Sequence, residues 1–169
     1  MLRRAALRPL ATRAGRAARF CLRTHTWVRS IPGQRVQLGF TDRALEDIGD
    51  VTEVVPMASV GDAVRPNQAL LQVLWEAMRI SDGDELYHTT WANVEGDARL
   101  LAPCSGTVSA INNDSDGGRL DAADWLVELA VLDETPLWAQ LVDQEHYLRE
   151  CGVGKFGEAD DSLRYTSYG

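Results

Sequence analysis

Residues 26–40 decide the fold, and they read Thr26-Trp27-Val28-Arg29-Ser30, Ile31-Pro32-Gly33-Gln34, Arg35-Val36-Gln37-Leu38-Gly39-Phe40. Two runs with apolar residues at alternating positions flank a group of turn formers, which is the pattern of a β-hairpin. A short helix is expected next, because the side chain of Thr41 or Asp42 can accept from the free amide groups of a helix start. Gly49 is expected to end that helix after about two turns.

The chain keeps the same character to residue 131, where short apolar segments alternate with turn formers. Strands are predicted at 50–55, with Pro56 as the stop, and at 70–75, 100–103, 106–111 and 125–131, and residues 60–64 are predicted to form a turn and a short strand. Residues 137–150 are predicted to form one helix that docks on the sheet through Leu137, Leu141, Tyr147 and Leu148. Many short strands with few helices predict an all-β sandwich or barrel with minor helices.

Charge divides the chain into a basic beginning and an acidic remainder. The net charge is −8, yet no acidic residue precedes Asp42. Residues 1–23 form an Arg-rich amphipathic segment, which is typical of a mitochondrial transit peptide and predicts the mitochondrial matrix. The alternative is a basic arm for nucleic acid or anionic lipid. The acidic remainder repels phosphate backbones, so direct nucleic-acid binding by the mature domain is not expected.

Several classes of protein are disfavoured by what the sequence lacks. Each stretch of 15 residues contains a charge, so no membrane insertion is expected. Three cysteines without a C-x-x-C pair argue against a disulfide scaffold and a zinc site. The sequence shows no catalytic triad, carboxylate pair or phosphate loop, so we expect a protein without its own catalysis and without a bound metal.

Five segments in order resemble the H protein of the glycine cleavage system. They are Thr24-His25-Thr26-Trp27-Val28, the run 39–51 from Gly39-Phe40-Thr41-Asp42 to Gly49-Asp50-Val51, Ala102-Pro103-Cys104-Ser105-Gly106-Thr107-Val108, Asp124-Trp125-Leu126-Val127, and the helix around 141–147. The resemblance covers about 24–150 except for one interval. It implies a lipoyl-domain-like barrel-sandwich hybrid with an extended hairpin and a C-terminal helix.

The resemblance also implies a lipoyl group attached to a lysine, and this chain has no lysine at the corresponding motif position. In that family a lysine at the tip of the hairpin holds lipoate as an amide, and the arm shuttles a methylamine group between the glycine cleavage enzymes. Counted forward from Gly61, the family motif falls on 76–80, with Glu76 before the acceptor position and Arg79 at it. Counted backward from Pro103, the same position falls near Glu95, because about 15 to 18 extra residues intervene.

Arginine cannot replace the acceptor lysine, since its guanidinium stays protonated and is a poor nucleophile. No lysine precedes Lys155, which lies in a Gly-rich tail and is expected to be an ordinary solvated residue. Arg79 is therefore expected to be a degenerate, unmodified attachment position, and an Arg79→Lys variant is expected to regain acceptance if the hairpin around it is intact. No cofactor is expected; lipoate enters only in the carrier alternative given below.

The extra residues around 82–97 carry aromatic side chains. They either lengthen the hairpin or fold back on the sheet, and the sequence leaves both open. On an extended hairpin, Trp75, Tyr87 and Trp91 are predicted to bind a partner.

Two functions follow. The first is a non-lipoylated H-protein-like module that binds proteins as a structural, assembly or regulatory subunit of a mitochondrial complex, with the glycine cleavage enzymes as candidate partners. The second is a functional H protein that shuttles methylamine on a lipoyl arm. The predicted domains are a transit peptide at 1–23, the H-like domain at 24–150 and a flexible tail at 151–169.

Overall fold

A computed structural model describes residues 17–82, 89–112 and 120–151. Within these ranges the chain forms nine strands and three short helices. The strands are β1 Arg19–Cys21, β2 Thr26–Ile31, β3 Arg35–Phe40, β4 Asp50–Pro56, β5 Ala63–Val64, β6 Ala69–Asp82, β7 Thr89–Leu101, β8 Gly106–Ile111 and β9 Val127–Ala130. The helices are α1 Asp42–Glu46, α2 Thr135–Ala139 and α3 Gln144–Cys151.

The strands build two antiparallel sheets. One has six strands in the order β1-β2-β3-β9-β8-β5, and the other has three in the order β4-β6-β7. Side chains from both sheets meet in one core, in which Leu38, Leu71, Val73, Leu100 and Leu129 are almost fully buried. This confirms the predicted fold class, a mostly β sandwich with minor helices.

The hairpin predicted from residues 26–40 is confirmed as β2 and β3, with Val28 opposite Leu38 and Trp27 opposite Gly39. Its turn contains Gly33 at φ 87° and Gln34 at φ 53°. Gly39 provides the seat for the Trp27 ring, because a Cβ there would lie 2.6 Å from two ring carbons. The Trp27 indole donates to the carbonyl of Ala122 at 2.8 Å.

The predicted helix start is also confirmed. Thr41 is the N-cap of α1, and its hydroxyl accepts from the amide of Ala44 at 3.3 Å. The predicted end was wrong, because α1 stops at Glu46 with Asp47 as its C-cap. Gly49 instead allows a close backbone approach, since a Cβ there would lie 2.2 Å from the carbonyl oxygen of Glu76.

Two elements near the ends of the described chain differ from the prediction. The folded part begins before residue 24, because β1 pairs with β2 and Phe20 is buried against Trp27 and Tyr147. The single helix predicted at 137–150 is two helices, α2 and α3, separated by Val142, which forms a β-bridge with Phe20. A pattern of apolar spacing does not show this break, since the bridge depends on a residue more than 100 positions earlier.

Cys151 ends α3, and the rest of the predicted tail, 152–169, lies outside the described residues, as does Lys155. Across the described part of the chain, no helix combines the length and the apolar character needed to cross a membrane.

Candidate functional site

The extra residues around 82–97 lengthen a hairpin, so the first of the two alternatives is correct for the described residues. β6 and β7 pair continuously from the Leu71–Leu100 pair to the Asp82–Thr89 pair. β4 covers the base of this ribbon only as far as Asp50, which lies opposite Glu76. The two strands therefore extend beyond the third strand as a two-stranded ribbon.

Arg79 lies within the paired part of the ribbon, where its backbone partner is Ala92. Three further residue pairs follow before the described ladder ends at Asp82 and Thr89. The forward count of the family motif places the acceptor at Arg79 on β6, and the backward count places it near Glu95 on β7. Glu95 pairs with Glu76 of β6, so the two counts fall on opposite strands of one hairpin. The insertion has lengthened both strands, which explains why the two counts disagree.

The ribbon has an inner and an outer face, since side chains alternate along each strand. Leu71 and Val73 point into the core. Glu76 and its partner Glu95 are exposed on the other face. This places the predicted motif acid at the solvent, directly opposite a second carboxylate.

Two of the three aromatic residues predicted to bind a partner, Trp75 and Trp91, lie in the described strands of the ribbon. Trp75 is half-buried and packs on its own ribbon, because a Cβ on Gly96 would lie 2.3 Å from its ring. Tyr87 lies outside the described residues. The backbone of Trp91 pairs with Ile80. Partner binding by Trp75, Tyr87 and Trp91 stays a prediction.

A ring of hydrogen bonds near the β2–β3 hairpin was not predicted from the sequence. His25 Nδ1 lies 2.9 Å from the Tyr147 hydroxyl, which lies 2.8 Å from Thr41 Oγ1. Thr41 Oγ1 in turn donates to the carbonyl of His25 at 2.9 Å. The ring therefore joins the residue before β2, the N-cap of α1 and α3.

The donors in this ring follow from the number of protons available. Thr41 has one hydroxyl proton, which goes to the His25 carbonyl, so Thr41 must accept from Tyr147. Tyr147 has then used its own proton, so it must accept from Nδ1–H of His25. Burial, and secondarily the positive charge of Arg43, lowers the pKa of His25. His25 is thus a neutral ring protonated at Nδ1 at neutral pH.

An apolar groove of about 680 Å³ lies between α2 and the turn at 103–107, and Cys104 lines it. Burial, aided by the charge of Glu134, raises the pKa of the Cys104 thiol to about 11. The Cys104 side chain is buried and belongs to the hydrophobic core. A thiol with so high a pKa is not a nucleophile at neutral pH.

The described residues contain no group of three or more His, Cys, Asp or Glu side chains that could hold a metal ion. The described surface includes the projecting ribbon, the exposed carboxylates of Glu76 and Glu95 on that ribbon, and the apolar groove lined by Cys104.

Comparison with known proteins gives one family name. The chain is 31% identical over 130 residues to the glycine cleavage system H protein of Micrococcus luteus, which covers 73% of this chain and 86% of that protein. It is 30% identical over 132 residues to the protein of the same name from Mycobacterium avium, with the same two shares. A third, from Nitratidesulfovibrio vulgaris, is 32% identical over 90 residues, 53% of this chain and 55% of that relative. No family model matches the chain.

Proposed function

Because the chain belongs to the glycine cleavage system H protein family, we propose that it serves glycine cleavage as a non-catalytic protein recognised by the enzymes of that system. The observation that carries this proposal is the match to H proteins over 73% of the chain. The sandwich with its projecting ribbon is the kind of rigid scaffold that such recognition needs. The same match supports the carrier function, with a lipoyl arm, more directly than any other role.

The carrier function requires a primary amine for the lipoyl amide. Between residues 1 and 154 the sequence has no lysine, so neither strand of the ribbon offers one. Lys155 is then the acceptor if the chain is a carrier. The absence of lysine from residues 1–154 favours a second candidate, a non-lipoylated family member that binds the same enzymes without shuttling methylamine. We propose this form for the chain.

Intact mass of the protein from its native source decides between the two forms. We expect the unmodified mass of the mature chain. A Lys155→Arg variant, expressed with the same lipoylation machinery, is the matched control. A mass increase corresponding to one lipoyl group that disappears in the variant would show that the chain is a carrier and overturn the non-lipoylated form.

The structure changes the expectation for Arg79→Lys. A lysine at this position would lie in the continuous ladder, three pairs before its described end, and not at a hairpin tip. We therefore expect the purified Arg79→Lys protein to stay unlabelled when incubated with a lipoate ligase, lipoate and ATP. An authentic H protein should be labelled in a parallel reaction. A labelled Arg79→Lys protein would show that the ligase accepts a lysine within the strand.

We also propose that the Arg-rich beginning of the chain directs it to the mitochondrial matrix and is removed there. Cleavage after residue 23 would delete β1 and remove Phe20 from its contact with Trp27 and Tyr147. We therefore expect the mature N-terminus to precede Arg19. N-terminal sequencing of the organelle protein tests this, and a mature chain that begins at residue 24 would contradict it.

A further inference from the structure

β7 is an edge strand. In the three-stranded sheet it pairs with β6 on one side, and among the described residues no strand pairs with it on the other. It runs for 13 residues, from Thr89 to Leu101. A strand edge of this length presents a row of backbone N–H and C=O groups that can pair with a further strand.

The outer face of the same sheet is acidic. Asp50, Glu76 and Glu95 lie side by side across the three strands, and all three are exposed. The next row adds Glu53 and Asp97, which flank Leu74. Like charges directly opposite each other destabilise a sheet, so these rows do not serve the stability of the isolated protein.

Arg99 offsets little of this charge. It lies two residues along β7 from Asp97, and its Nε is 3.2 Å from that carboxylate. Both side chains are about half exposed, so the pair is a weak surface ion pair. Glu95 and the two acids in its row have no ion pair with a described basic residue.

The acidic rows determine which strand can be added. A residue of a fourth strand directly opposite Glu95 would continue the row of three carboxylates, so it must be basic to be stabilising. The residue opposite Asp97 lies two positions away on the same face, since side chains alternate. The edge therefore favours a strand with basic residues at alternate positions.

A second copy of this chain does not meet that requirement. Residue 95 is the midpoint of Thr89–Leu101, so full-length antiparallel pairing of two β7 edges sets Glu95 against Glu95. The same pairing sets Asn93 against Asp97. A central pair of like charges opposes this association, as charged residues on natural edge strands do.

We propose that the edge of β7 binds an extended segment of a partner protein by strand addition, with basic residues at alternate positions facing Glu95 and Asp97. The backbone pairs provide the general affinity, and the carboxylates select the charge pattern of the partner. This inference depends on the sheet edge and its charges, and it holds for a lipoylated and a non-lipoylated protein alike.

The probe is a fluorescein-labelled heptapeptide in which four lysines alternate with threonine and valine, added to the full-length protein. We expect saturable binding that weakens with salt, and slower hydrogen exchange in the backbone amides of β7. The control peptide has the same composition with its four lysines contiguous, and it is expected to bind more weakly and to leave β7 unprotected.

Glu95→Lys is the decisive variant, because it places a like charge opposite the peptide's lysine. We expect it to weaken binding about five- to tenfold. The variant should fold, since it replaces the Glu76–Glu95 repulsion by an attraction. Glu145→Lys makes the same charge change on α3, away from the sheet, and is expected to bind as the native protein does.

Equal affinity for the two peptides would overturn the proposal, because it would show only non-specific electrostatic attraction. An equal loss of peptide affinity in Glu95→Lys and Glu145→Lys would overturn it for the same reason. Protection confined to residues outside β7 would overturn it as well. If the β7 amides exchange more slowly when the protein concentration is raised without peptide, the edge binds a second copy of the chain instead.

Discussion

Replacing Leu129 by alanine is expected to lower the free energy of unfolding by about 2 to 5 kcal/mol. Leu129 is fully buried on β9, between its backbone partners Val36 on β3 and Val108 on β8. These neighbours belong to paired strands, so they cannot move inward to fill the space that the lost methyl groups leave. Urea denaturation followed by tryptophan fluorescence measures the change.

Leu132→Ala is the matched control, because it makes the same chemical change at a side chain that is 95% exposed. We expect it to alter the free energy of unfolding by less than about 0.5 kcal/mol. A loss in Leu129→Ala no larger than in Leu132→Ala would contradict the position of the core between the two sheets.

Tyr147→Phe is expected to cost about 1 to 3 kcal/mol of stability at neutral pH. The Tyr147 ring would stay stacked on Phe20, with ring centres 5.0 Å apart, so the loss isolates the hydroxyl group. Without this hydroxyl, Nδ1–H of His25 has lost its acceptor and Thr41 has lost a donor. A Thr41→Val variant should couple to it, so that the double variant loses less than the sum of the two single losses.

Ionisation of Tyr147 predicts how the stability of the native protein changes at alkaline pH. Burial raises the pKa of Tyr147 to about 12, against an ordinary value of 10. A group whose pKa is higher in the folded protein than in the unfolded chain stabilises the fold at pH values below its unfolded-state pKa. That stabilisation is lost as the pH rises through the folded-state pKa. Native stability should therefore fall between pH 10 and about 12, by up to about 1.4 kcal/mol per pH unit from this residue.

Tyr147→Phe lacks this titration, so the difference in stability between it and the native protein should be smaller at pH 11 than at pH 9. Chemical denaturation at both values measures the difference. A difference that stays constant would show that the Tyr147 hydroxyl ionises as readily in the folded protein as in the unfolded chain, and a difference that grows with pH would show that it ionises more readily in the folded protein.

Local signals in the sequence were sufficient for much of the fold. The alternation in residues 26–40 predicted β2 and β3, and Thr41 predicted the cap of α1, because each of these depends on neighbours within a few positions. The motif order predicted membership of the H protein family. The absence of lysine before residue 155 is likewise a property of the sequence alone, and no structure can change it.

Other features of the fold depend on contacts between segments that are far apart in the sequence. The bridge between Phe20 and Val142 joins the segment after α2 to β1 and divides the predicted C-terminal helix, and local spacing does not show this break. His25 and Tyr147 are 122 positions apart, and their hydrogen bond depends on where α3 docks.

The register of the ribbon was decided in the same way. The sequence left open whether residues 82–97 lengthen a hairpin, because alternation along one strand does not name its partner. Only the pairing of β6 with β7 set Glu76 against Glu95 and placed Arg79 inside the ladder. Residue types along the chain thus determined that no lysine precedes residue 155, whereas tertiary pairing, which depends on long-range packing, determined which carboxylates lie side by side on the ribbon.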